Sequence, residues 1–254
     1  MRTIAFMNHK GGVGKTVTCV NMAAILANDY AKRVLVVDAD SQANTTEFFG
    51  GLPGGASSLG DLLRRTDVNE LIHPSNFPGV KLIGADDSLM DLDLSAVKSK
   101  AADAGALATL LKWKAKDSFD FCLIDCPPAF NAASAAALLA SDDVIIPIKP
   151  DAFSLRGMAN LMRQILNMRD INPGLNMAGL LPTMVYRSEQ VYRAMDLLKM
   201  SDFNVFPAIR KTNRVDDMTF AQAPLLKTSP TSAACVDYRR FVKAYLKGGD
   251  GRGV

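Results

Sequence analysis

Residues 3–24 read TIAFMNHKGGVGKTVTCVNMAA. The apolar front has the makeup of a buried strand, the glycine-rich middle that of a tight turn, and the stretch from about Gly14 to Asn28 the apolar spacing of a helix. Strand, glycine-rich loop and helix in that order are the setting of a phosphate-binding loop. Gly11, Gly12 and Gly14 let the backbone around Val13 fold tightly enough to aim successive N–H groups at a polyphosphate, held at the positive end of the helix. Lys15 is then placed to neutralise the β and γ phosphates, and the Thr16 hydroxyl to ligate Mg²⁺. The usual spacing also asks for a glycine five residues before Gly14, where this sequence has His9, and beside it stands a second lysine, Lys10. From spacing alone Lys10 reads as a solvated loop lysine.

Working outward, apolar runs alternate with helical patterns: RVLVVDAD (33–40), VKLIGA (80–85), FDFCLIDCPP (119–128), DDVIIPIKP (142–150), LNMAGLLPTM (175–184) and the shorter NVFPAI (204–209). Between and after them, helices are expected at about 101–116, 132–140, 154–169, 189–200 and 232–246. The runs are continuously apolar rather than alternating, as in strands covered on both faces. This predicts an α/β fold, a doubly wound, mostly parallel sheet with helices on both faces, of the P-loop NTPase kind. No linker divides the chain, so one domain is expected over 1–248, followed by a flexible tail at 249–254. The segment from Phe49 to Pro78, rich in Gly, Pro, Ser and Asn, reads as mobile loop around one short helix at Leu59 to Arg65.

With 254 residues, 48% of them hydrophobic and 22% charged, the chain can bury a sizeable core. A formal net charge of +3 does not by itself announce a polyanionic partner. Cys19, Cys122, Cys126 and Cys235 lie in apolar surroundings without C-x-x-C spacing, so buried reduced thiols are expected rather than a zinc site. The absence of a signal-like start and of a long apolar stretch predicts a soluble cytoplasmic protein.

Asp38 and Asp40 end the second strand and Asp125 a later one. Carboxyl ends of parallel strands line one edge, so these carboxylates should gather beside the phosphate loop. Asp125 fits a carboxylate that holds Mg²⁺ through water, Asp38 is placed to share that task, and Asp40 to orient an attacking water. For any one of them a turn or helix-capping role is the alternative.

KGGVGKT, VDADSQAN and FDFCLIDCPP together resemble the nucleotide motifs of the ParA/MinD family of deviant Walker A ATPases, most of all the ParA-type partition ATPases in their short form, and the likeness continues through ASDDVIIPIKPDAFSLRGM and GLLPTM to TNRVDD. The resemblance implies ATP and Mg²⁺ as cofactors and a nucleotide-sandwiched homodimer, in which Lys10 reaches the phosphates held by the other subunit. It implies catalytic roles for Lys10, Lys15 and Asp40, with Thr183, Met184, Pro207 and Asn213 near the adenine. Val17 stands where the family commonly has a second hydroxyl, and Ser41 and Ala43 where it commonly has Pro and Gly. No N-K-x-D guanine signature occurs, which favours ATP over GTP.

The resemblance also implies slow ATP hydrolysis stimulated by a ParB-like partner protein, and nonspecific binding of double-stranded DNA by the ATP dimer, hence nucleoid association. Arg187, Lys211, Arg214, Arg239, Arg240, Lys243 and Lys247 are the candidate DNA contacts; Arg239, Lys243 and Lys247 recur at i, i+4, i+8 on the last helix. A solvated helix face is the plainer reading of that stripe. No helix-turn-helix is expected ahead of the first strand, and KGGDGRGV offers no amphipathic membrane anchor. The alternative is a ParA-like ATPase that positions a protein cargo or regulates a protein scaffold without DNA.

Overall fold

The computed structural model describes residues 1–64, 70–92 and 103–249. One seven-stranded sheet runs through it in the order β3-β4-β2-β5-β1-β6-β7, with β1 Arg2–Phe6, β2 Val34–Asp38, β3 His73–Pro74, β4 Val80–Ile83, β5 Phe121–Asp125, β6 Asp143–Ile148 and β7 Asn176–Pro182. Every pairing is parallel except β3 with β4. β2 and β6 are buried along their whole length, which is why they read as unbroken apolar runs.

Two apolar clusters sandwich the sheet. On one face α1 (Lys15–Asp29) and α10 (Ala233–Gly249) contribute Val20, Met22, Ile25, Tyr238 and Phe241; the other face holds Leu107 of α4 (Gly105–Leu110), Ala136 of α5 (Ala132–Ala140) and Leu161 of α6 (Ala152–Arg169). The doubly wound expectation therefore holds. Among the described residues, no helix is long and apolar enough to cross a membrane.

Local differences have local causes. The helix expected at about 101–116 is α4 continued by a π-helical turn at Leu111–Ala115, and residues 101–102 lie outside the described residues. NVFPAI is not a full strand: Val205 and Arg210 each make an isolated bridge, to Leu180 and Val185, and Pro207 between them lacks the N–H a ladder needs. It lies close against Gly179, where a Cβ would come 2.5 Å from the Asn204 carbonyl oxygen. The short helix of the irregular segment is α3 (Leu59–Leu63), closed by a Ser58/Asp61 capping box, and the expected end at Arg65 falls outside the described residues. β3 was too short to leave a period-two pattern, and α2 (Asn44–Phe48), α8 (Arg214–Phe220) and α9 (Leu225–Thr228) too short to leave a helical one. The last helix runs three residues past the expected end at Leu246, taking in Gly249; residues 250–254 of the expected tail lie outside the described residues. α7 (Glu189–Lys199) lies where expected.

Candidate functional site

Parallel register builds the site before any side chain is considered. Asp38 pairs directly with Asp125 across β2 and β5, and Phe6 with Asp125 across β1 and β5, so both carboxylates sit level with the exit of the strand that feeds the glycine-rich loop. That exit lies where the chain winds away in both directions along the sheet, the place where open α/β sheets form crevices.

Within the loop Gly12 and Gly14 adopt left-handed backbone, φ 68° and 87°, and Gly14 is the N-cap of α1. Gly11 and Gly12 face open space where a Cβ would project, leaving room for a ligand to approach the backbone. The hydroxyl of Thr183 donates to the Val13 carbonyl at 2.8 Å and so ties the loop to the end of β7. Lys15 is buried, its Nζ 3.4 Å from the Lys10 carbonyl oxygen. Burial pulls its pKa down, while the nearby Asp125 carboxylate opposes that pull.

The two buried carboxylates are employed differently. Asp38 has both oxygens engaged: Oδ1 accepts from the Asp40 backbone N–H at 3.1 Å, and Oδ2 from the N–H and hydroxyl of Thr46 at 2.8 Å each. The Oδ2 of Asp125 accepts from Thr16 at 2.6 Å and Thr45 at 2.7 Å, whereas its Oδ1 is buried without a hydrogen-bond partner among the described residues. Burial pushes the pKa of both carboxyls up, and for Asp38 the neighbouring Asp125 charge adds to the effect. An orphaned oxygen and a pair of desolvated acids fit a divalent cation. No cluster of three His, Cys, Asp or Glu side chains occurs among the described residues, so the donor set suits Mg²⁺, which keeps waters and phosphate oxygens as ligands. Thr16 and Asp125 are the residues with a group open toward it, while both oxygens of Asp38 already accept from the loop that follows β2.

Asp40 is half-buried, with Oδ1 accepting from the Gln42 N–H at 3.1 Å. Three residues on, Ala43 takes φ 52° and its N–H donates to the Asp40 carbonyl at 2.9 Å. A left-handed alanine is strained where a glycine is not. Ala43→Gly is expected to raise stability by up to about 1 kcal/mol, read as a thermal midpoint about 2–4 °C higher; a lower midpoint would contradict the strain.

The family resemblance implies that Lys10 reaches another subunit's site; here its Nζ contacts both oxygens of Asp151, at 2.7 and 2.9 Å, with Lys149 Nζ at 3.7 Å on the same carboxylate. Beside the loop a recess is lined by Gly14, Val17, Thr183, Met184, Lys211 and Asn213, among others. Pro207 is not in it: it faces a separate recess with Asp143, Asn204 and Tyr245, because the bridge at Arg210 carries the chain across before it reaches the loop.

The basic candidates do not form one free stripe. Arg239 pairs with Asp29 at 2.7 Å, Arg214 with Asp217 at 3.0 Å and Arg240 with Asp237 at 3.7 Å, while Lys211 lies over the Tyr186 ring. Arg187, Lys243 and Lys247 are exposed and make no ion pair among the described residues. Thr45, Thr46 and Asp151 were not anticipated as site residues; the polar NTT run so soon after Asp40 was the available signal for the first two.

Residues 1–177 match the AAA domain family. The chain is 32% identical over 254 residues to the chromosome partitioning protein ParA of Caulobacter vibrioides, covering 97% of this chain and 94% of that protein. It is 30% identical over 254 residues to the chromosome-partitioning ATPase Soj of Thermus thermophilus, covering 97% and 96%. Among solved structures, cobyrinic acid a,c-diamide synthase from Mycobacterium smegmatis with bound ADP and magnesium superposes with a TM-score of 0.83 at 28% identity, covering 99% of this chain and 96% of that one.

Proposed function

The chain belongs to the ParA family of P-loop ATPases, and from that premise we propose that it is an ATP-dependent dimerising switch that binds DNA nonspecifically as the ATP dimer and is released by partner-stimulated hydrolysis. In this reading residues 1–248 form one ATPase domain whose cofactors are ATP and Mg²⁺. Backbone N–H groups of residues 11–16 and the Lys15 ammonium bind the phosphates. Thr16 and Asp125 would hold Mg²⁺, which would supply charge neutralisation at the phosphates. Asp40 orients the attacking water, and the recess lined by Val17, Thr183, Met184 and Asn213 receives the adenine. The partners are a second copy of the chain, double-stranded DNA and a ParB-like stimulator, and the location is the nucleoid.

The observation that carries this reading is the division of labour between the lysines. Lys15 Nζ lies within the loop of its own chain, while Lys10 Nζ is held by Asp151 at its rim. The DNA step is supported by exposed Arg187, Lys243 and Lys247, which a dimer would present twice.

A second reading, a ParA-like ATPase acting on a protein scaffold, is favoured by the internal pairing of Arg239, Arg214 and Arg240, which weakens the cationic surface. Binding of random-sequence duplex DNA to the hydrolysis-blocked Asp40→Ala protein separates them. With ATP and not ADP, binding is expected, falling about 10³-fold or more between roughly 50 and 200 mM salt. An ATP dimer without DNA binding would favour the scaffold reading.

A further inference from the structure

Two adjacent residues of the short helix α2 grip two different carboxylates on two adjacent strands. The Thr46 hydroxyl donates to Asp38 and accepts from the Ala85 N–H at 2.9 Å, while the Thr45 hydroxyl donates to Asp125 at 2.7 Å. Thr45 is fully buried. Its hydroxyl shares Asp125 Oδ2 with Thr16 of the phosphate loop, whose hydroxyl donates to the same oxygen at 2.6 Å. With Oδ2 taken by two donors, Oδ1 is the oxygen of Asp125 left to accept from anything that enters. α2 begins directly after Ala43, whose N–H closes the turn back onto the Asp40 carbonyl. Asp125 and Asp40 are thus joined by one short path: a hydrogen bond to Thr45, the backbone from Thr45 back to Ala43, and the turn hydrogen bond from Ala43 to Asp40.

We propose that Thr45 is a positioning residue, which orients Asp125 toward Mg²⁺ and couples occupancy of that site to the placement of Asp40. The inference rests on the reading of Asp125 as the metal-side carboxylate and Asp40 as the water-orienting one. A purely space-filling threonine would make the same contact without consequence for the metal. The two cases differ in what happens when the hydroxyl alone is removed.

Thr45→Val keeps the side-chain volume and deletes the donor; Thr45→Ser keeps the donor and trims a methyl. The readout is the affinity of the full chain for a fluorescent N-methylanthraniloyl ATP, with and without Mg²⁺, alongside single-turnover hydrolysis. Loss of one hydrogen bond to a charged group leads us to expect Thr45→Val to bind the Mg²⁺-free nucleotide normally but to forfeit about ten- to a hundredfold of the Mg²⁺-dependent gain, with Thr45→Ser restoring most of it. In an Asp40→Ala background, Thr45→Val should cost hydrolysis little more. An unchanged Mg²⁺ gain in Thr45→Val, or a serine variant no better than valine, would overturn the proposal. Asp125→Asn in the same assay keeps the failures apart. If it retains the Mg²⁺ gain, the reading of Asp125 is wrong; if it loses the gain while Thr45→Val keeps it, only the role of Thr45 is wrong.

Discussion

Asp40→Ala is expected to slow ATP hydrolysis by roughly 10²–10⁴-fold, the usual worth of a positioned group acting on the attacking nucleophile. Nucleotide affinity should change little, since no phosphate-binding group is touched, and the ATP dimer should accumulate. The structure supplies the control this variant needs. Asp40 also caps its own loop, through the Gln42 N–H on its carboxylate, so alanine removes a turn contact together with the charge. Asp40→Asn retains an oxygen acceptor for that N–H and lacks the carboxylate. Single-turnover phosphate release should fall similarly in both variants. Near-normal turnover in Asp40→Asn would reduce Asp40 to a loop cap.

The second large effect concerns Lys10. A cationic finger supplied by a neighbouring subunit is worth about 10³–10⁵ in turnover, so Lys10→Ala should abolish ATP-dependent dimerisation in light scattering and hydrolysis with it. The contact with Asp151 does not stand in the way. Both side chains are partly exposed, 36% and 27%, and such an ion pair is worth at most about 1 kcal/mol. Transfer of the ammonium to a polyphosphate outweighs that. An unimpaired ATP dimer in Lys10→Ala would remove the finger role and leave Lys10 as the partner of Asp151.

Much of the frame was legible because it is local. Continuous apolar runs ending in Asp38 and Asp125 announce buried parallel strands, and the glycines at 11, 12 and 14 announce the loop. What escaped were pairings between distant segments. Lys10 and Asp151 are 141 residues apart, and Arg239 and Asp29 are 210 apart; no period or spacing brings such residues together, only the finished fold. The i, i+4, i+8 stripe on α10 was a true geometric pattern, but nothing local announces that Asp29 at the end of α1 pairs with its first member. Pro207, expected near the adenine from the family resemblance, lines a different recess, since the chain bridges back to the sheet at Arg210 before Asn213. α2 combines β-branched threonines with only five residues, so propensity argues against the helix that its hydrogen bonds to the strand-end carboxylates support.

The opposition of Asp38 and Asp125 across two neighbouring strands has a further consequence. Strand side chains alternate faces, so sliding either strand by a single residue would carry one carboxylate to the far side of the sheet. The two acids are therefore near one another by the grammar of the ladder, not by the choice of a flexible loop. Their mutual repulsion in a dry setting is held in check by the cohesion of the entire sheet. Seen in this way the sheet is a clamp that keeps two acids in proximity, and the loop from Asp40 to Thr46 is suspended from them.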